Sequence, residues 1–73
     1  MTDKEKIGKV LRDIRISRTG YTIEEVASKF GKSKVWLSQI ETRSRNIYFE
    51  DAKKLCKIYN CTLTEISEMI DKL

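Results

Sequence analysis

Lys34, Val35 and Gln39 form an unusual set within the stretch Ser33-Lys34-Val35-Trp36-Leu37-Ser38-Gln39-Ile40-Glu41. A lysine can donate to guanine, an amide can bond adenine through two hydrogen bonds, and an apolar group can touch the thymine methyl. Together they offer a chemistry of reading base edges. The competing reading is an amphipathic helix with an ordinary polar face.

For these side chains to act together they must be held on a helix. Ser33 is a good N-cap, since its hydroxyl can accept from a backbone N–H two or three residues on. Leu37 and Ile40 lie three apart, so they share an inward face and leave Lys34, Val35, Ser38 and Gln39 pointing elsewhere. Trp36 falls beside them, and partial exposure is expected for it rather than a place in the core. Upstream, Thr22-Ile23-Glu24-Glu25 is a capping box opening a short helix with Val26, Ala27 and Phe30 on its apolar face. Gly31 stops that helix, and only Lys32 separates it from Ser33. A joint this tight forces the two helices to cross steeply, as in a helix-turn-helix over about residues 22–41.

The remaining chain supplies packing. Ile7, Val10, Leu11 and Ile14 give the stripe of a first helix, opened by a Thr2–Glu5 capping box and closed at Thr19-Gly20. A polar basic loop, Thr42 to Tyr48, leads to a fourth helix from about Phe49 to Tyr59, with Phe49, Ala52, Leu55, Cys56 and Tyr59 on or near one face. Asn60 follows as its left-handed terminus. Thr62-Leu63-Thr64-Glu65 is a further capping box, opening a fifth helix that carries Leu63, Ile66, Met69, Ile70 and Leu73. The expected fold is all-α: a five-helix bundle forming a single domain over 1–73.

Composition excludes several classes. The 73 residues contain no His and two cysteines, Cys56 and Cys61. Two sulfurs without further ligands do not make a zinc site, and no Ser or Cys has a visible activating base. Neither catalysis, metal nor cofactor is expected. No apolar run is long enough to span a membrane and the N-terminus is not a signal peptide, so the expected location is cytoplasmic. The net charge is +4, and it is unevenly spread. Residues 1–21 and 32–49 each carry a surplus of three positive charges, while 22–31 and 50–73 are each acidic by one. The surplus brackets the candidate reading helix, and a local basic surface attracts polyanions through counterion release.

The spacing Ala27, Gly31, Leu37, Ile40 sharpens the reading. A residue as small as Ala27 lets the helices cross closely, Gly31 supplies a left-handed turn, and Leu37 and Ile40 anchor the second helix. With Ile7-Gly8, Arg15, Ser33, Leu37-Ser38-Gln39-Ile40-Glu41, Glu50, Leu55 and Leu63-Thr64-Glu65-Ile66, this resembles the phage-repressor and Cro type of helix-turn-helix domain, the Xre family. The resemblance runs from Ile7 to about Ile66. It implies base contacts in the major groove of double-stranded DNA from Lys34, Val35 and Gln39. It implies phosphate contacts from Thr22, Trp36, Ser38, Thr42, Arg43, Arg45 and Asn46, although Arg43 and Arg45 can also be read as solvated loop charges. It implies a structural ion pair between Arg15 and Glu41. It further implies a homodimer on a palindromic operator, acting in transcription regulation, here as a repressor without a small-molecule ligand.

Several positions depart from the pattern. Ile23 replaces a frequent Gln that braces the backbone, so one phosphate clamp is lost. Lys32, Arg43, Ile47 and Tyr48 replace a frequent Val, Gly, Pro and Ser, and Thr19 is one extra residue before the second helix. The dimer is expected through Ile66, Met69, Ile70 and Leu73, which can otherwise be read as closing the core. The alternative function is a protein-interaction module, such as an antitoxin or adaptor with weak or no DNA binding, which Ile23 favours.

Overall fold

A computed structural model of the chain describes residues 3–42 and 46–73, with side chains from Glu5 onward. The expected Thr2 cap, Arg43 and Arg45 lie outside the described residues. The elements are α1 (Asp3–Ile14), a π-helical segment (Arg15–Thr19), α2 (Ile23–Phe30), α3 (Lys34–Glu41), α4 (Phe49–Tyr59) and α5 (Leu63–Asp71).

Each boundary has a local cause. Thr22 and Thr62 form complete capping boxes with Glu25 and Glu65, satisfying two N-terminal N–H groups apiece. Ser33 accepts from the Trp36 N–H at the start of α3. Tyr48 occupies the corresponding position of α4 and makes no side-chain cap. At the other ends, Gly31 (φ 87°) and Asn60 (φ 56°) are left-handed. The N–H groups of Lys32 and Cys61 reach back to the carbonyls of Ala27 and Cys56 at 3.0 and 2.9 Å, which closes the last turns.

Thr19, expected as one extra residue before α2, is the last residue of the π segment. Gly20, left-handed at φ 69°, donates to the Arg15 carbonyl five residues back at 2.9 Å. One additional residue therefore fits into a wider final turn, as such turns characteristically allow.

The core is built from all five helices: Val10, Leu11 and Ile14 of α1, Val26 and Phe30 of α2, Leu37 and Ile40 of α3, Leu55, Cys56 and Tyr59 of α4, and Ile66 of α5. Burying side chains of this size stabilises by roughly 1.5–3 kcal/mol each. Ile66, expected at a dimer interface, is instead part of the core of its own chain, at 6% exposure. Phe49, expected on or near the apolar face of α4, is 67% exposed, at the border of an apolar depression it shares with Ile7, Leu11, Ala52 and Leu63. Lys53 lies over its ring instead.

Packing fixes α3 at both ends. α2 packs against α3, and α1 crosses behind it. A Cβ at Gly8 would stand 2.3 Å from the Ile40 carbonyl oxygen, so only glycine permits this approach of α1 to the end of α3.

Candidate nucleic-acid interface

α3 presents two different sides. Leu37 and Ile40 face inward and are fully buried, while Val35 is 56% exposed and Lys34 is open to solvent. Between α2 and α3 runs a groove of about 690 Å³, bordered by Thr22, Ile23, Glu24, Lys34, Val35, Ser38 and Gln39. A second depression continues it past Ser38 to Thr42 and to Arg12 of α1. The structure thus brings Lys34, Val35 and Gln39 to one surface with Thr22 and Ser38, and Thr42 at its far end.

The other candidates sit differently. Trp36 is half-buried and packs on Phe30, with ring centroids 4.6 Å apart, on the flank away from the groove. Its ring is thus committed to the α2–α3 contact. The Thr42 hydroxyl donates to the Ser38 carbonyl at 2.8 Å, so it must turn to meet a phosphate. Thr22 already accepts from Glu25 N–H. Asn46 is exposed.

Beneath the groove lies the Arg15–Glu41 pair. Arg15 Nε and Nη2 donate to the two Glu41 carboxylate oxygens at 2.8 and 2.9 Å, and Nη1 donates to the Tyr21 carbonyl at 2.8 Å. The side chains are only 10% and 2% exposed. Glu41, by hydrogen bond and charge, raises the Arg15 pKa above its ordinary value. One guanidinium thereby ties the end of α1 to the end of α3 and to the segment entering α2. Tyr59, buried beside this pair, has a hydroxyl without a hydrogen-bond partner among the described residues.

Two residues of this surface were not singled out from the sequence. Arg12 lies on the polar side of α1, and Glu24 falls within the capping box that opens α2. Helical periodicity gives Arg12 a side but not a neighbour, and its place beside Ser38 and Thr42 depends on the crossing of α1 over α3. Glu24 could have been found from its position at the α2 N-terminus, directly opposite the first turn of α3. Its carboxylate accepts from Lys34 Nζ at 3.4 Å.

Two packed helices joined by three residues, Gly31 to Ser33, with an open groove along the second helix, define a helix-turn-helix DNA-binding domain. A family model described as helix-turn-helix matches residues 11–66, and the chain belongs to that family, the Xre-like one, whose members are DNA-binding transcriptional regulators. Among solved structures the chain is similar to the clp gene regulator ClgR from Corynebacterium glutamicum. One structure of it aligns with TM-score 0.91 and 21% identity, covering 99% of this chain and 91% of that one. A second aligns with TM-score 0.92 and 21% identity, covering 99% and 76%. Identity this low carries the fold and not the regulated genes. No curated protein matches. Among the described residues, no helix is long and apolar enough to cross a membrane.

Proposed function

We propose that the chain is a sequence-specific regulator that occupies an operator in double-stranded DNA as a cytoplasmic homodimer, acting as a repressor without a chemical step or a cofactor. The observation that carries this is that Lys34, Val35 and Gln39 line one groove, on a helix whose end is fixed by a buried ion pair. The N-terminal residues of such a helix meet base edges while the preceding helix crosses the sugar–phosphate backbone. Thr22, Ser38 and Thr42 border the groove where phosphates would run, and Asn46, Arg43 and Arg45 follow α3 in the chain. A phosphate role for Trp36 is limited to its ring edge, since its face rests on Phe30.

Dimerisation is supported by half-buried Met69 and Ile70 and by Leu73, 49% exposed at the end of α5. Two reading helices about 34 Å apart would enter successive major grooves. Unbiased selection of bound duplexes, followed by sedimentation with and without the selected site, tests the reading. A palindromic consensus bound by two chains is expected. Failure to select any sequence would move the interaction-module reading ahead, which Ile23 favours because it cannot donate to a phosphate.

A further inference from the structure

Glu24 is out of place on a surface meant for a polyanion. Its side chain is 74% exposed, it borders the groove beside Val35 and Lys34, and like charge repels it from phosphates. It is also not needed for the cap, which Glu25 completes. What distinguishes it is the Lys34 ammonium, 3.4 Å from its Oε1 across the α2–α3 angle. We propose that Glu24 is a specificity-determining residue: with Lys34 it reads one G·C base pair, the ammonium donating to guanine and the carboxylate accepting from the cytosine N4 amino group. This rests on the DNA-binding reading and on the groove as the docking face.

The argument is one of matching patterns. In the major groove, guanine offers two adjacent acceptors, N7 and O6, and cytosine beside it offers the N4 donor. O6 and N4 are themselves hydrogen-bonded, hence about 2.9 Å apart. A lysine–glutamate pair at 3.4 Å presents donor and acceptor at nearly that separation and in the opposite sense. A thymine–adenine pair also offers an acceptor and then a donor. However, the position beside thymine O4 is a methyl group, so the ammonium would lose its second acceptor. Adenine–thymine puts the donor N6 where the ammonium needs an acceptor. Lys34 is the first residue of α3, which is where base-edge contacts concentrate in this geometry. An exposed ion pair contributes little to folding, so stability is a weak reason for these two charges to sit together.

The test measures binding of the parent chain, Glu24→Gln and Lys34→Met to a duplex selected by the parent and to each of its single-pair variants. Parent discrimination for G·C at one position is expected to be roughly five- to hundredfold, the range of one good base contact. Glu24→Gln should lose most of it at that position alone, because an amide both donates and accepts. Lys34→Met should lose it at the same position. Thermal melting of both variants should match the parent, since both side chains are exposed. If Glu24→Gln keeps the parent's preference at every position and merely binds all duplexes more tightly, the carboxylate only repels and the inference fails while the DNA-binding reading stands. If the parent selects no duplex, both fall together.

Discussion

Replacing Glu41 with Gln should be among the most damaging changes available to this chain. The Arg15 guanidinium gives two hydrogen bonds to the Glu41 carboxylate and one to the Tyr21 carbonyl, with the glutamate side chain 2% exposed. An amide keeps one acceptor oxygen but turns an NH2 group toward an arginine N–H, and the buried cation loses its counter-charge. Breaking a buried pair from one side costs about 3–5 kcal/mol. The whole stability of a chain this length is on the order of 4–11 kcal/mol, so roughly a quarter or more of it should go. Urea unfolding followed through Trp36 fluorescence measures this, because that indole rests on Phe30 only in the folded chain. The midpoint should fall with the slope unchanged. The double variant Arg15→Met/Glu41→Leu should recover most of the loss, since apolar groups of similar volume can replace a buried ion pair at little cost. An unchanged midpoint for Glu41→Gln would refute the structural role of the pair. A double variant as weak as the single one would show that packing, not a stranded charge, set the cost.

Three further outcomes are expected. Gly8→Ala should destabilise by about 1–3 kcal/mol in the same assay, because its Cβ would sit 2.3 Å from a backbone oxygen of α3 and overpacking outweighs alanine's better helix propensity. Burial and the neighbouring Cys56 push the Cys61 thiol up to about 12; at pH 8 its thiolate should be on the order of a thousandfold scarcer than in the unfolded chain. Iodoacetamide labelling timed by mass spectrometry should then be correspondingly slow until urea is added; stability held below the unfolded thiol pKa should also decline as pH rises from about 9 toward 12. The Arg18 hydrogen bond lowers the Glu65 pKa, so the stabilisation is complete above the unfolded carboxylate value and is lost as pH falls through the folded one. Arg18→Met should make the acid limb of the melting curve shallower, and an identical limb would remove the ion pair from the account.

The helices were legible because their ends are chemically marked. Thr22, Ser33 and Thr62 announce starts, and Gly20, Gly31 and Asn60 announce stops, through local hydrogen bonds and φ angles that need no tertiary context. The groove along α3 was legible for a related reason: Leu37 and Ile40 set the inner side of α3, and the rest of that helix had to face elsewhere. What periodicity does not supply is depth. Ile66 and Ile70 share the apolar side of α5, yet Ile66 reaches the core and Ile70 stops halfway. Phe49 keeps the period of α4 yet stays 67% exposed. The role of Gly8 was equally hidden, since a close backbone approach leaves no mark on the residues of either helix alone. Glu24 and Lys34 stand ten residues apart, and only the crossing angle of α2 and α3 makes them a pair.

The π segment bears on how such a chain can change length over generations. An extra residue absorbed into an ordinary α-helix turns everything beyond it by about 100°, which would swing α2 and α3 away from their anchorage. A residue held in the wide turn between Arg15 and Thr19 would cost one looser ring of backbone, and from that turn the Arg15 side chain reaches Glu41. This joint can therefore gain or shed a residue while α3 stays where it was. The joint between α2 and α3 holds no such slack: Gly31 and Lys32 already return their N–H groups to a single carbonyl, that of Ala27. Insertions and deletions should be found at the first of these joints and be purged at the second.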